Sequence, residues 1–327
     1  MKSSITVKKY NQKYFNQWNK LVEISNNGTI FHSLEFLNYH KKKFIDQEHN
    51  LIFLKGEALF AVLPAVKIDN KLVSHFRASF GGIVTKKDVN LSESEQIVEA
   101  LINYLIVHKF TSASLVLTPN HLCKSNNENL EYSLLRNGFN NIQSDLFNAI
   151  NLTTSYKEIW DKRYLSRNRN TLRKVFNQFS LHSDCSLEEF YPILEQDKLR
   201  HQSQPTHSFD ELEYLKRKFP QNIWFDIARM TTGNGSVGIC YFRLNEKSLI
   251  TFYMAQTDQA LGMNGKNILI DFGIKKAIKN GYKVLDFGGS TVGYKIKNPG
   301  VAKFKESFGA KGALRKKYIW ENTSSIF

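Results

Sequence analysis

Three consecutive segments decide how this chain is interpreted: Leu285-Asp-Phe-Gly-Gly-Ser-Thr291, Val292-Gly-Tyr-Lys-Ile-Lys-Asn-Pro-Gly300 and Val301-Ala-Lys-Phe-Lys-Glu-Ser-Phe-Gly309. The apolar residues Val284, Leu285 and Phe287 precede paired glycines, as in a buried strand that stops at a tight turn. Glycines also let the backbone approach a ligand closely. The first segment therefore predicts a strand whose end, at Gly288, Gly289 and Ser290, is suited to contact a substrate.

A short helix is predicted after this strand. Phe304 and Phe308 stand four residues apart and would share one helical face, with Lys303 and Lys305 beside them. Lysines on a rigid turn next to a glycine-rich strand end indicate a site for an anion or an oxyanion. The alternative interpretation is an ordinary strand–loop–helix connection with solvated lysines.

Composition limits the class of protein. The 327 residues suffice for one large domain or two ordinary ones, and 42% hydrophobic residues predict a packed core. Cys123, Cys185 and Cys240 show neither disulfide nor metal spacing, and the histidines are scattered, so we expect a reducing compartment and no bound metal. Without an apolar run of membrane-spanning length or a signal-peptide pattern after Met1, the predicted location is cytoplasmic.

Positive charge is concentrated in two segments. The chain has 45 Lys and Arg against 30 Asp and Glu, a formal net charge of +15. Residues 161–174 contain six basic residues and one acid, and residues 294–317 contain eight basic residues and one acid. Such clustering favours an anionic partner, namely a phosphorylated small molecule, an RNA such as tRNA, or peripheral contact with an anionic membrane surface. A DNA partner is not expected.

The order of predicted elements suggests two copies of one α/β unit. Each half is expected to contain helices, an antiparallel hairpin run, a further helix and a closing strand. The break falls near Leu152-Thr-Thr-Ser155, where Ser155 and Glu158 form a capping box. We therefore predict domains at 1–151 and 152–327, with a C-terminal strand at about 312–327 as a candidate to return to the first domain. A basic helix is predicted to begin at this capping box and to run through Trp160 and Arg163 to Phe179.

The segment Gln259-Ala-Leu-Gly-Met-Asn-Gly265 lies between a predicted strand and a predicted helix. Backbone N–H groups at such a helix start bind phosphate well. The segment resembles the Gln/Arg-x-x-Gly-x-Gly/Ala loop that binds the pyrophosphate of coenzyme A in GNAT acyltransferases. Gln259 and Gly262 match that loop, whereas Asn264 stands where Gly or Ala is usual. An ordinary helix-initiating turn is the alternative.

A more specific resemblance joins Asp286-Phe-Gly-Gly-Ser-Thr-Val-Gly293 with Gly300-Val-Ala-Lys-Phe-Lys-Glu-Ser-Phe-Gly309. These motifs resemble the Fem family, the aminoacyltransferases that build peptidoglycan interpeptide bridges, and FemAB-like GNAT acyltransferases. The resemblance covers residues 150–320 well, and in the first half it rests on Phe31-His-Ser-Leu-Glu-Phe36 and Ala78-Ser-Phe-Gly-Gly82. It implies an α/β (α+β) fold of two GNAT-like domains, each a mixed, largely antiparallel sheet flanked by helices.

The resemblance also implies roles for individual residues. Lys305 corresponds to the active-site lysine of the family's Phe-Lys pair, and Asp286 would accept a proton from the attacking amine. Gln259, Gly262, Asn264 and Gly265 would bind the donor. The remaining predicted residues would contact substrate: Arg167, Arg169, Arg173, Arg200, His201, Gly288, Gly289, Ser290, Lys303 and Phe304.

The function that follows is transfer of an acyl or aminoacyl group to an amine of a nucleotide- or lipid-linked sugar or peptide in cell-envelope biosynthesis. The donor is either an acyl-CoA or an aminoacyl-tRNA, and the sequence leaves that choice open. Two other classes stay open as well. One is a non-catalytic RNA-binding protein that uses the basic clusters, and the other is a scaffold built on a degenerate GNAT pair.

Overall fold

The computed structural model describes residues 4–40, 45–74, 78–86, 89–294 and 299–322. The chain divides into two units, one formed by Met1–Asp145 with Leu314–Phe327 and the other by Leu146–Ala313. The division falls inside the strand β8, Asn140–Asn151, so it precedes the predicted boundary at 151/152. The C-terminal strand β14, Lys311–Glu321, pairs antiparallel with a strand of the first unit through residues from Lys317 to Glu321.

The first unit contains strands from two sheets. One sheet has the order β1-β2-β3-β6 and is antiparallel throughout, and the other has the consecutive strands β4-β5-β7-β14, in which only β5 and β7 are parallel. The strands are β1 Ile5–Lys9, β2 Leu51–Lys55, β3 Ala58–Leu63, β4 Val66–Ile68, β5 Lys71–Ser74, β6 Val84–Thr85 and β7 Ser112–Val116.

Apolar helix faces close the core of the first unit. Its helices are α1 Phe15–Ile24, α2 Leu34–Leu37, α3 Leu91–Val107 and α4 Asn129–Arg136. The helix α3 begins at a capping box of Asn90 and Glu93, and it buries Ile97 and Leu101, which belong to the cluster that also contains Phe53.

The second unit is built on the strand order β8-β13-β12-β11-β10-β9. Only β12 and β13 are parallel, and the other neighbouring pairs are antiparallel. The strands after β8 are β9 Phe179–Cys185, β10 Ile223–Met230, β11 Ser236–Arg243, β12 Ser248–Gln256 and β13 Val284–Gly289. Both units are thus mixed, largely antiparallel sheets with helices, which confirms the predicted fold class.

The second unit contains six α-helices within the described residues. They are α5 Tyr156–Glu158, α6 Ser166–Val175, α7 Leu187–Arg200, α8 Phe209–Lys218, α9 Gly265–Lys279 and α10 Pro299–Glu306. The helix α9 packs on the core through Ile270, Ile274 and Ala277, as its apolar spacing predicts. Gly281, at a φ of +80°, follows its end, as expected of a glycine just beyond a helix.

The predicted continuous helix that runs through Trp160 to Phe179 is wrong. The chain forms a π-helical turn over Ile159–Arg163 and then becomes extended at Tyr164 and Leu165 before α6 begins. The backbone N–H of Leu165 donates to Ser307 O at 3.0 Å, so a contact distant in sequence holds this break. From Phe179 onward the chain pairs with β10 as an edge strand, and tertiary pairing therefore overrides the helical pattern.

Candidate active site

The parallel strands β12 and β13 separate part of the way along their length. Their pairing is limited to three positions, Ser248 with Val284, Leu249 with Leu285 and Ile250 with Asp286. The strand β12 continues to Gln256, and along its other edge it stays paired with β11. Backbone groups beyond Ile250 that face β13 thus have no ladder partner on that strand within the described part of the chain. Such groups require other hydrogen-bond partners, and a ligand is one of them.

The end of β13 is shaped by a bulge. Its pairing with β8 shifts register between Asp286, opposite Ala149, and Gly289, opposite Phe147. Gly288 lies in this bulge at a φ of +74°, a conformation that favours glycine. The buried Asp286 accepts a hydrogen bond from the Gly288 N–H at 2.5 Å. The Asp286 side chain therefore stabilises the turn that follows it, and its role as a proton acceptor stays a prediction.

Lys305 reaches this bulge from α10 and is 7% exposed. Its Nζ donates to Gly288 O at 2.7 Å, to Gly289 O at 2.8 Å and to Ser290 Oγ at 3.1 Å. The three N–H bonds of the ammonium are thus all engaged. Burial lowers the pKa of Lys305 to about 8, although the nearby Asp286 carboxylate acts in the opposite direction. A charged group this close to losing its proton is typical of functional sites.

Asn148, in the middle of β8, completes the cluster and was missed by the sequence analysis. Ser290 Oγ donates to its Oδ1, while its amide nitrogen is buried without a hydrogen-bond partner in the described part of the chain. A buried amide donor without a partner costs about 1–3 kcal/mol. The signal that could have identified Asn148 is that it is the one polar residue in the otherwise apolar run Leu146-Phe-Asn-Ala-Ile150.

The predicted donor loop leads into the N-terminus of α9. Gln259 lies in an exposed 3-10 turn, and Gly262 and Asn264 have φ angles of +76° and +57°. Gly265 is buried, and a Cβ at this position would lie 2.7–2.8 Å from Val237 and the ring of Phe179. Glycine at 265 is therefore explained by close packing of the helix start, whether or not the loop also binds a donor.

The arginines of the basic segment have different surroundings. Arg169 donates to the carbonyls of Trp160, Asp161 and Tyr164, so it caps the π-helical turn. Arg173 donates to Asn170 and lies over the ring of Trp160, and Arg167 is exposed. Among the described residues none of these arginines hydrogen-bonds to Lys305 or its partners. Their contact with a substrate phosphate stays a prediction.

Arg200 and His201 lie at the end of α7. The Arg200 guanidinium pairs with the carboxylates of Asp197 and Asp258 and donates to Gln256 O, so it fastens this helix to the end of β12. His201 is the C-terminal cap residue and is exposed. The structure thus accounts for Arg200 without a ligand.

The other predicted substrate-binding residues of α10 differ in exposure. Lys303 is exposed, whereas Phe304 packs edge-to-face on Phe308 at 5.4 Å. Lys295 and Lys297 of the second basic segment lie outside the described residues. No group of three or more metal-binding side chains occurs in the part of the chain that the structure describes, and none of its helices is long and apolar enough to cross a membrane.

Solved structures share this architecture over nearly the whole chain. FemX superposes with a TM-score of 0.70 at 8% identity, over 98% of this chain and 98% of that one. L-PGS from Bacillus licheniformis gives a TM-score of 0.60 at 12% identity, over 98% and 94% of the two chains. A tandem GNAT protein from the clavulanic acid biosynthesis pathway gives 0.52 at 8% identity, over 97% and 98%.

These likenesses establish the fold. The chain has a two-domain GNAT-like fold, and the predicted resemblance to the Fem and GNAT proteins is confirmed at that level. No family model matches the sequence, and no curated protein matches it either.

Proposed function

We propose that this protein is an acyltransferase that moves an acyl or aminoacyl group from an activated donor to an amine. The observation that carries the proposal is the buried ammonium of Lys305, fixed at the bulged end of β13 on the side where β12 and β13 separate. Fold similarity to FemX and to a tandem GNAT protein supports the same class of reaction. Fold alone does not determine function, so the site carries the argument.

The reaction requires stabilisation of an oxyanion. When the amine attacks the donor carbonyl, negative charge develops on the carbonyl oxygen, and a fixed cation in a buried site stabilises it strongly. The bond from Lys305 to Ser290 Oγ is the longest of its three, at 3.1 Å, so it is the one we expect the oxyanion to replace. The Asn148 amide nitrogen is a second donor of the same cluster.

We propose that the amine attacks the donor directly within a ternary complex of protein, donor and acceptor. Positioning of donor and acceptor supplies a large part of the rate enhancement in such reactions, and no covalent enzyme intermediate is needed. The donor is proposed to be an acyl-CoA or an aminoacyl-tRNA, bound near Gly262 at the start of α9, where backbone N–H groups favour phosphate. The acceptor is proposed to be an amine of a nucleotide- or lipid-linked sugar or peptide of the cell envelope.

A transfer assay with paired donors tests the proposal. Purified protein is incubated with acetyl-CoA or with alanyl-tRNA, each together with UDP-linked amino sugars or UDP-linked muramyl peptides, and products are identified by mass spectrometry. We expect the amine of one acceptor to gain the acyl group with one of the donors. Salt-sensitive RNA binding without any product, or an absence of both binding and product, would contradict the proposed function.

The activity is expected to decline in alkaline solution. Because burial lowers the pKa of Lys305 to about 8, the ammonium loses its proton as the pH rises through that value. If the charged form stabilises the oxyanion, kcat/KM falls by about tenfold per pH unit above pH 8. The measurement is kcat/KM between pH 6.5 and 10, with an acceptor whose amine is already neutral at pH 8. A flat profile up to pH 10 would exclude the charged lysine as the catalytic species.

A further inference from the structure

A cavity of about 550 Å³ lies in the second unit between α9 and the segment from α5 to α6. Aromatic and aliphatic side chains form most of its wall, namely Tyr156, Trp160, Leu172, Phe176 and Ile268. Phe176 is 65% exposed, which is unusual for a phenylalanine on a short helical segment. Small-molecule sites are concave, mainly apolar and of this size.

Positive charge surrounds the cavity. Arg173 and Lys157 both contribute to its lining. The guanidinium of Arg173 lies 5.8 Å from the Trp160 ring. Within the described part of the chain it donates one hydrogen bond, to Asn170, so most of its five N–H donors have no partner there. Lys157 forms an exposed ion pair with Asp161, a kind of interaction that stabilises little and yields readily to a ligand.

The acidic residue in the wall, Asp271, is already neutralised. It is buried and accepts hydrogen bonds from the hydroxyls of Tyr156 and Tyr164, and Lys275 pairs with its second oxygen at 2.8 Å. Burial and this carboxylate raise the pKa of Tyr156, so the tyrosine remains a neutral donor. The cavity therefore presents an apolar body and a cationic rim, which suits an anion with an apolar part.

The cavity is distinct from the Lys305 site. None of the residues that line it belongs to the hydrogen-bonded cluster of Lys305, Ser290 and Asn148. Tyr164 lies behind the cavity wall, since its hydroxyl bonds to Asp271 and its ring packs on Phe308 at 5.3 Å. A ligand in this cavity would thus occupy a site of its own.

We propose that this cavity binds a small organic anion with a flat ring, of the class of nucleoside monophosphates. The ring packs against Trp160 and Phe176, because aromatic rings stack well on a base. The phosphate pairs with Arg173, whose planar fork matches phosphate oxygens, and with Lys157. The nucleotide is either free or the end of a larger molecule such as coenzyme A or an RNA, and the inference does not depend on the transfer reaction.

Isothermal titration with AMP tests the inference, with adenosine and ribose 5-phosphate as the two halves of the probe. We expect AMP to bind with a stoichiometry of one and each half to bind at least tenfold more weakly. Arg173→Gln and Trp160→Leu should each weaken AMP binding at least tenfold. Lys174→Gln is the matched control, since this exposed neighbour on the same helix does not line the cavity, and it should leave binding unchanged.

Absence of AMP binding at about 5 mM would overturn the inference, as would binding that Arg173→Gln leaves unchanged. Arg173 is exposed, so its substitution tests the site even if Trp160→Leu fails to fold. Titrations with coenzyme A and with a short RNA ending in adenosine separate the sources. Tighter binding than AMP, with the same loss in Arg173→Gln, identifies a larger ligand, whereas binding no tighter than AMP identifies the free nucleotide.

Discussion

Replacing Lys305 by methionine is expected to lower kcat by about 100- to 1,000-fold, the range typical of losing one oxyanion donor. Methionine keeps the length and most of the apolar contact of lysine but removes the charge and all three hydrogen bonds to Gly288, Gly289 and Ser290. Because the charge acts on the transition state, KM should change much less than kcat. The measurement is steady-state transfer with the donor and acceptor found productive in the assay.

The variant must be shown to be folded, since the carbonyls of Gly288 and Gly289 lose the Lys305 donor. Circular dichroism and thermal unfolding of Lys305→Met therefore accompany the kinetics. Lys279→Met is the matched control, because Lys279 is exposed in the last turn of α9 and its substitution removes the same charge from the same unit. A folded Lys305→Met protein with kcat within threefold of the parent would contradict the proposed role of Lys305 as the oxyanion donor.

The local pattern around the site was predictable from sequence. Paired glycines after an apolar run do end a strand, β13, and the Phe304/Phe308 spacing does mark the helix α10, although that helix ends two residues before Phe308. Both phenylalanines pack on the core. The burial of Lys305 could also have been inferred. It precedes Phe308 by three residues and so shares its helical face, whereas Lys303 does not.

The partners of charged groups were not predictable in the same way. Arg200 looks available at a helix end, yet its strongest partner outside its own helix, Asp258, is 58 residues away. Likewise, Arg169 is one of several arginines in a basic run, and only the break at Tyr164 turns carbonyls toward it. Such contacts depend on tertiary packing, which a window of local sequence does not contain.

Replacing Lys276 by methionine is expected to destabilise the protein by about 3–5 kcal/mol, the usual result of removing one partner of a buried ion pair. Lys276 Nζ lies 2.8 Å from Asp226 Oδ1 and 2.9 Å from Ser183 Oγ, and Asp226 is fully buried. The second oxygen of Asp226 has no hydrogen-bond partner within the described part of the chain. The variant would therefore leave a buried carboxylate without a cationic partner, with hydrogen bonds only from the Ser183 hydroxyl and the Asp184 N–H to its first oxygen.

The Asp226 carboxylate also determines how the loss of stability in Lys276→Met depends on pH. Burial raises the pKa of Asp226 even in the presence of Lys276, and loss of the lysine should raise it further. The folded state then binds a proton that the unfolded state has already released, so the penalty grows as the pH rises above about 4 and shrinks in acid. Urea unfolding at pH 5 and pH 7, followed by tryptophan fluorescence, measures both effects.

A double variant separates the lost ion pair from lost packing. In Lys276→Met with Asp226→Asn the buried group is neutral, so we expect most of the stability at pH 7 to return, whereas a packing defect would persist. Lys279→Met again serves as the control on the same helix, with an expected change within about 0.5 kcal/mol. If Lys276→Met alone changes stability no more than this control, the ion pair does not hold α9 on the sheet. In that case the position of the Gly265 end of α9 depends on its apolar face alone.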